Sequence, residues 1–333
     1  MAETAYQHWI NSLLDSLEWK LNTYALSYEK PKALAEQIKR LSDFYIHKPR
    51  EHSPWDEDFC KIAYLAYYHP LNAIRYYALM DYISAYSFPK IVELGSGLGA
   101  FSAAFSQFAE ADFHFVERAE VARDLHKSLS GERAHWSAEL RQDHLSGALL
   151  ALTFSHTENI AIQRWLPHCE HVLVVDPATK EDFGHLSHLR QKLIDSGFEI
   201  LAPCTHHQTC PMAESKKDWC HFSARYSVPQ KLRLMEQYLP WQHHEPAFSF
   251  VLASKTYKRK VPKGYGRLIG NPLKEKGKFR QLYCNGSERV FLTALKKQVS
   301  EWPFRRGECL RIHSHERKAS ELRIRSLDNV DKY

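Results

Sequence analysis

Lys90-Ile91-Val92-Glu93-Leu94-Gly95-Ser96-Gly97-Leu98-Gly99 is the stretch from which the rest of the chain can be read. Its apolar first half reads as a short buried strand. The three glycines at alternate positions then let the backbone turn tightly and approach a ligand closely. After the turn, Phe101, Ala104, Phe105 and Phe108 recur at helical spacing. A second strand, Phe113-His-Phe-Val-Glu117, ends in acid, and a helix through Val121 and Leu125 follows. Ala148–Phe154 and His171–Asp176 read as two further buried parallel strands, with a short helical Ile160–Trp165 between them. Leu186 to Ser196 reads as a helix closed by Gly197, and Phe198–Ala202 and Phe248–Ala253 as two more strands. This alternation predicts an α/β fold, a mainly parallel sheet covered by helices on both faces. A third strand falls within Glu132–His144, without legible bounds.

Upstream, residues 1–88 read as a helical cap. Trp9, Ile10, Leu13, Leu14 and Leu17 recur at helical spacing, as do Leu34, Ile38 and Leu41. The segment Ala63–Pro70 is expected to end at its proline, with a separate helix from Asn72 to Tyr86. Downstream, residues 254–333 change character. Gly266–Ile269, Phe279–Tyr283 and Cys309–Ile312 are strand-like pieces between Gly, Pro and Asn signals, and Arg289–Val299 reads as a helix. The chain is therefore expected to comprise a helical region (1–88), a sheet domain with a cysteine loop at 203–222 (89–253), and a basic β-rich domain (254–333).

The 333 residues, 44% hydrophobic and 25% charged, suit a soluble globular protein. No apolar stretch approaches the ~20 residues needed to span a bilayer, so no membrane partner is expected. The first ten residues lack a basic n-region and carry acid early, unlike a signal or transit peptide. A cytoplasmic, bacterial protein is the expectation, ahead of a mitochondrial matrix one, and its seven cysteines are expected as thiols or metal ligands. The net charge of +6 conceals an asymmetry. Residues 254–333 hold 21 Lys and Arg against 8 Asp and Glu, a net of +13, and residues 1–253 hold 24 against 31, a net of −7. Positive charge concentrated at one end, interleaved with Tyr257, Tyr265, Phe279, Tyr283, Phe291, Trp302 and Phe304, points to a folded surface for a polyanion.

The glycine spacing discriminates between cofactors. Dinucleotide enzymes separate their second and third glycines by two residues. Here each gap is one residue, and an acid stands two positions before the first glycine. The pattern resembles the first motif of class I S-adenosylmethionine-dependent methyltransferases, which implies a Rossmann-like sheet. It also implies cofactor binding by Glu93, Gly95, Ser96, Gly97 and Gly99, with Glu117 on the ribose hydroxyls. The loop Ser155-His156-Thr157-Glu158-Asn159 lies where substrate should approach but lacks the Asn-Pro-Pro-aromatic signature of many amino-group methyltransferases. His156 is the best candidate base, against a structural reading of that histidine, and no catalytic residue is assigned.

A second constellation lies downstream. Cys204, Cys210 and Cys220 fall within one run, and Cys284 lies beyond it. Structural zinc sites use knuckles two to four residues apart, so this wider spacing suits an iron–sulfur cubane as well as or better than zinc. His206, His207 and His221 are possible substitute ligands, Trp219 and Phe222 could shield such a centre, and Cys60, Cys169 and Cys309 read as isolated thiols. Two rival readings remain. A nucleophilic thiolate, as in RNA cytosine-5 methyltransferases, is disfavoured because both cysteines follow the sixth strand. Radical chemistry with the same two cofactors uses tighter cysteine spacing.

Together these pieces resemble the methyltransferase-like assembly factors of the mitochondrial and bacterial small ribosomal subunit. The resemblance rests on Ala63-Tyr-Leu with Pro70, Glu93–Gly99, and Asp176-Pro-Ala-Thr179 where relatives tend to have Glu-Pro-Gly-Thr. It continues through Pro203-Cys204, Cys210-Pro211, Asp218–Phe222, Gly266-Arg267, Asn271-Pro272, Leu282-Tyr-Cys284 and Arg306-Gly307-Glu308. It implies a [4Fe–4S] cluster on Cys204, Cys210, Cys220 and Cys284, a small C-terminal β domain, and binding to the small subunit and its rRNA, with methyl transfer left open. A monomer is expected.

Overall fold

The computed structural model describes residues 2–48, 52–130, 134–156, 161–213, 215 and 217–333. The chain forms two compact units, Met1–Cys169 with Ser223–Ala247, and Glu170–Phe222 with Phe248–Tyr333.

The first unit begins with helices α1 (Ala2–Leu21) and α2 (Pro31–His47). Their inward stripes, Ile10, Leu14, Leu17 and Leu21 on one and Leu34, Ile38 and Leu41 on the other, are buried. Next come α3 (Asp58–Ala63), a π-helical turn (Tyr64–Tyr68) and α4 (His69–Ile83), without a break between them. The expected stop at Pro70 is thus overturned. A proline inside a helix removes one N–H from the helical ladder, and the ladder here steps back five residues, with the His69 N–H on the Tyr64 carbonyl. The buried hydroxyl of Tyr28 donates to the Ala66 carbonyl within the π turn at 3.2 Å, and the widened turn accommodates the proline ring.

Strand β1 (Lys90–Leu94), α5 (Ala100–Phe105), β2 (Asp112–Val116), α6 (Glu120–Ser130), β3 (His135–Ser137) and β4 (Leu149–Thr153) follow. The four strands are parallel in the order β3-β2-β1-β4. Central β4 is apolar almost throughout, as a strand covered on both faces must be, while β1 places apolar Ile91, Val92 and Leu94 around the buried Glu93. The elusive third strand is three residues long, with Trp136 its one large apolar side chain.

In the second unit, β5 (His171–Pro177), α7 (Lys180–Asp195), β6 (Glu199–Ala202), β7 (Phe222–Ser223) and β8 (Ala247–Ser254) continue the α/β pattern. Here β8 runs antiparallel to both β5 and β6, so the fold is mixed rather than parallel throughout. Between β7 and β8 lies α8 (Gln230–Glu236), which belongs to the first unit.

The basic segment builds a sheet of its own from β9 (Gly266–Leu268), β10 (Leu273–Lys274), β11 (Lys278–Cys284), β12 (Arg289–Leu295), β13 (Cys309–Ile312), β14 (Glu316–Lys318), β15 (Glu321–Ile324) and β16 (Val330–Lys332). The order is β14-β15-β12-β11-β9-β13-β16, with β10 beside β11. The helix expected over Arg289–Val299 is instead β12. Val290, Leu292 and Ala294 alternate into a core with Tyr283, Leu310, Leu322 and Ile324, so the operative period is two rather than 3.6.

Candidate functional site

In the first unit the turn after β1 borders a cavity of about 700 Å³. Glu93, Gly95, Ser96, Gly97 and Glu117 line it. The Glu117 carboxylate accepts the N–H groups of Gly97 and Ala119, each at 3.0 Å, which ties the end of β2 to the turn. Gly95 has φ +72°, and a Cβ there would lie 2.6 Å from that of Ser155. Gly99 does not line the cavity. It has φ +74°, and a Cβ there would fall 2.0 Å from Nε2 of His126. Its smallness serves packing under the turn.

Glu93 is buried and accepts the Thr153 hydroxyl at 2.9 Å. Burial, with the nearby Glu117 charge adding, pushes its carboxyl up to about 8 against the opposing effect of that hydrogen bond. Its second oxygen, Oε2, has no protein partner, and the same holds for Ser96 Oγ and His69 Nδ1. All three residues line the cavity. A buried polar atom left unpaired costs about 1–3 kcal/mol, so three of them around one space fit a polar ligand that supplies the partners.

Further walls come from Trp55 and Phe154, which the sequence did not single out as site residues. Trp55 is nearly buried, packs on Tyr64 at 4.5 Å between ring centroids, and lies 3.8 Å from where a Gly97 Cβ would be. Phe154 adopts φ +60°, unusual for a bulky residue, and its ring lies under the Arg75 guanidinium at 5.3 Å. Ser155 lines the cavity and His156 does not. Thr157, Glu158 and Asn159, the rest of that loop, lie outside the described residues, as does Ile160.

In the second unit, Cys204, Cys210, Cys220 and Cys284 line one smaller cavity of about 50 Å³, so residues far apart in the chain are brought together. Phe183 and Ile269 pack beside them with Met212. Burial pushes up the thiols of Cys210, Cys220 and Cys284, the last to about 12, and negative charge on neighbouring thiols adds to each. Opposing this, the buried Arg190 of α7 donates Nε to Cys204 Sγ at 3.2 Å, and its Nη2 to the carbonyls of His206 and Gln208 at 2.9 and 3.1 Å. Buried Arg267 lines the same cavity and donates to the carbonyls of Pro203 and Gly307. His206 Nε2 is 3.7 Å from Cys284 Sγ, and burial pushes its imidazole down to about 4. The donor set, four thiols facing cationic side chains, fits an electron-poor inorganic centre that binds thiolates.

Among the described residues no three His, Cys, Asp or Glu side chains are spaced for a single metal ion. His207 bonds the Ile200 N–H and His221 the Trp219 carbonyl, away from the cavity wall. Trp219 donates its indole N–H to the Ala178 carbonyl at 2.7 Å and packs beside Cys210 and Cys220, while Phe222 lines the cavity. Arg190 was not singled out from the sequence, although a signal existed. It stands in the apolar stripe Phe183-Leu186-Arg190-Leu193 of α7, where a charge needs a buried partner.

Parallel strands β3-β2-β1-β4, the glycine turn after β1 and Glu117 just after β2 define an α/β fold whose turn borders the cavity. The chain belongs to the family described as Mitochondrial small ribosomal subunit Rsm22, whose sequence model matches residues 62–301. No curated protein sequence matches it. Among solved structures it is similar to PH1948 from Pyrococcus horikoshii, with 14% identity over 69% of this chain and 100% of that one at a TM-score of 0.35. It is also similar to the plantazolicin methyltransferase BamL, at 11% over 68% and 98% with a TM-score of 0.36. Magnesium protoporphyrin IX methyltransferase (ChlM) from Synechocystis PCC 6803 matches at 10% over 56% and 84% with a TM-score of 0.32. Among the described residues no helix is long and apolar enough to cross a membrane.

Proposed function

We propose that the protein is an S-adenosylmethionine-binding, methyltransferase-like factor of small ribosomal subunit biogenesis, in which Cys204, Cys210, Cys220 and Cys284 hold a [4Fe–4S] cluster. The family match carries the reading, because its span includes both the glycine turn and all four cysteines. In the first unit Glu93, Gly95, Ser96 and Gly97 would hold the amino-acid end of the methyl donor and Glu117 its ribose hydroxyls, while Gly99 supports the turn through His126. In the second unit each thiolate would bind its own iron, which needs the sulfurs further apart than one metal ion would allow. Arg190 and Arg267 would offset the negative charge of such a centre. The strongly basic residues 254–333 would bind rRNA, with the protein acting as a monomer. A reducing compartment, bacterial or mitochondrial, suits the free thiols.

The test is binding of anaerobically purified protein to small-subunit particles and rRNA, compared with Cys284→Ser. The cluster-free variant should bind more weakly, and equal binding would remove the cluster from the account. Labelled-methyl transfer to the same particles, with Glu93→Ala as control, separates a factor that holds rRNA from one that modifies it.

A further inference from the structure

We infer that His69 reads the carboxylate of the bound methyl donor, with Ser96 Oγ beside it, while Glu93 takes the ammonium of the same amino-acid end. The inference deepens the S-adenosylmethionine reading and rests on it. Three observations lead there. First, His69 opens α4 directly after the π turn Tyr64–Tyr68. A π turn adds a residue and rotates everything after it about the helix axis. Here His69, Asn72 and Tyr76, spaced for one helical face, all line the cavity that the glycine turn borders. Second, the imidazole is 4% exposed and Nδ1 has no hydrogen-bond partner, although its neighbours in the chain are well packed. Third, the other two unpartnered atoms of the cavity, Glu93 Oε2 and Ser96 Oγ, sit on a different element and complete a set with opposite preferences.

The chemistry of the set selects the ligand group. Glu93 keeps its proton near neutrality with no cation beside it and gives it up when an ammonium sits against it, because the adjacent cation favours the carboxylate. A hydroxyl and a neutral imidazole together offer two donors to an anion. Burial pushes the His69 imidazole down to about 4, so it stays uncharged near neutrality and can present an N–H without importing a charge. A zwitterion, ammonium on one side and carboxylate on the other, uses all three atoms at once. The nucleoside end carries no such pair. Burial lowers the His126 imidazole and the nearby His69 lowers it further, but His126 packs against Gly99 and does not line the cavity.

The experiment compares two ligands by calorimetry on the full chain. S-adenosylhomocysteine has the amino-acid end, and 5′-methylthioadenosine has the nucleoside and sulfur without it. His69→Ala should weaken S-adenosylhomocysteine roughly 10- to 100-fold, the range of a lost hydrogen bond to a charged group, and leave methylthioadenosine binding unchanged. His69→Asn, whose amide nitrogen falls near the position of Nδ1, should recover part of the loss. Unchanged methylthioadenosine binding also shows that the variant is folded. Equal weakening of both ligands, or none of either, overturns the role of His69 alone. A wild-type protein that binds neither ligand overturns the methyl-donor reading and this inference with it.

Discussion

Replacing the three turn glycines one at a time by alanine should give three different results, because the backbone asks something different of each. All three have positive φ, +72° at Gly95, +50° at Gly97 and +74° at Gly99. That conformation costs an alanine about 1–2 kcal/mol. At Gly97 nothing more is added, since the nearest atom to the new methyl group is a Trp55 ring carbon at 3.8 Å. At Gly95 the methyl meets Ser155 Cβ at 2.6 Å, and at Gly99 it meets the His126 ring at 2.0 Å. That ring is held between Phe115 and Trp136, 4.5 Å from each between centroids, and cannot swing away freely. Overpacking of this kind costs about 1–3 kcal/mol, so Gly99→Ala should total roughly 2–5 kcal/mol. For a unit of this size that lowers the melting point by roughly 10 °C. Thermal melts should rank Gly99→Ala as most damaging and Gly97→Ala as least. Adding His126→Ala to Gly99→Ala should relieve the clash and leave a smaller penalty than the two single substitutions combined. If Gly99→Ala melts with the wild type, or Gly97→Ala is the worst of the three, the assignment of Gly99 to packing is wrong.

Tyr28→Phe should cost about 0.5–1.5 kcal/mol in a denaturant titration, because it removes the buried hydroxyl that donates to the Ala66 carbonyl; an unchanged midpoint would remove Tyr28 from the support of the π turn. The carboxyl of Glu93 holds its proton up to about 8 when folded, against 4.5 for the free side chain, so the folded state binds more protons in that window. Its contribution to stability therefore falls as pH rises through the window. Glu93→Gln should melt above the wild type beyond pH 8 and bind S-adenosylhomocysteine more weakly; a lower melting point there would contradict the burial argument. Arg190→Gln removes the donors to Cys204 Sγ and two loop carbonyls. It should speed the bleaching in air of the brown colour that the proposed cluster would give, whereas an unaltered bleaching rate would leave the guanidinium with a purely local role.

The central α/β elements were legible because they repeat one signal, a short apolar run followed by a turn residue and a helical period. Lys90–Leu94 was read to the residue. The third strand escaped because His135–Ser137 has too few side chains to show a period. Arg289–Val299 reads as a helix because Val290, Leu292 and Ala294 fit a helix stripe loosely when Val299 is added, and only the pairing of β12 with β11 and β15 reveals the period of two. The continuity of Asp58–Ile83 through Pro70 comes with a π turn and a hydroxyl contributed from 38 residues upstream, which no local pattern contains. The sites show the same division. Glycine spacing and cysteine identity mark chemistry on the sequence itself. His69 and Arg190 acquire their positions only from the packing of helices against the rest of their units, and Trp55 from the turn before α3.

Iron and acid-labile sulfide counted per chain after anaerobic purification, on the wild type and on Cys284→Ser, test the account most directly. Four irons and four sulfides in the wild type, with the centre lost or markedly depleted in the variant, are the expected result. A single zinc, or an iron content that ignores Cys284, would contradict it.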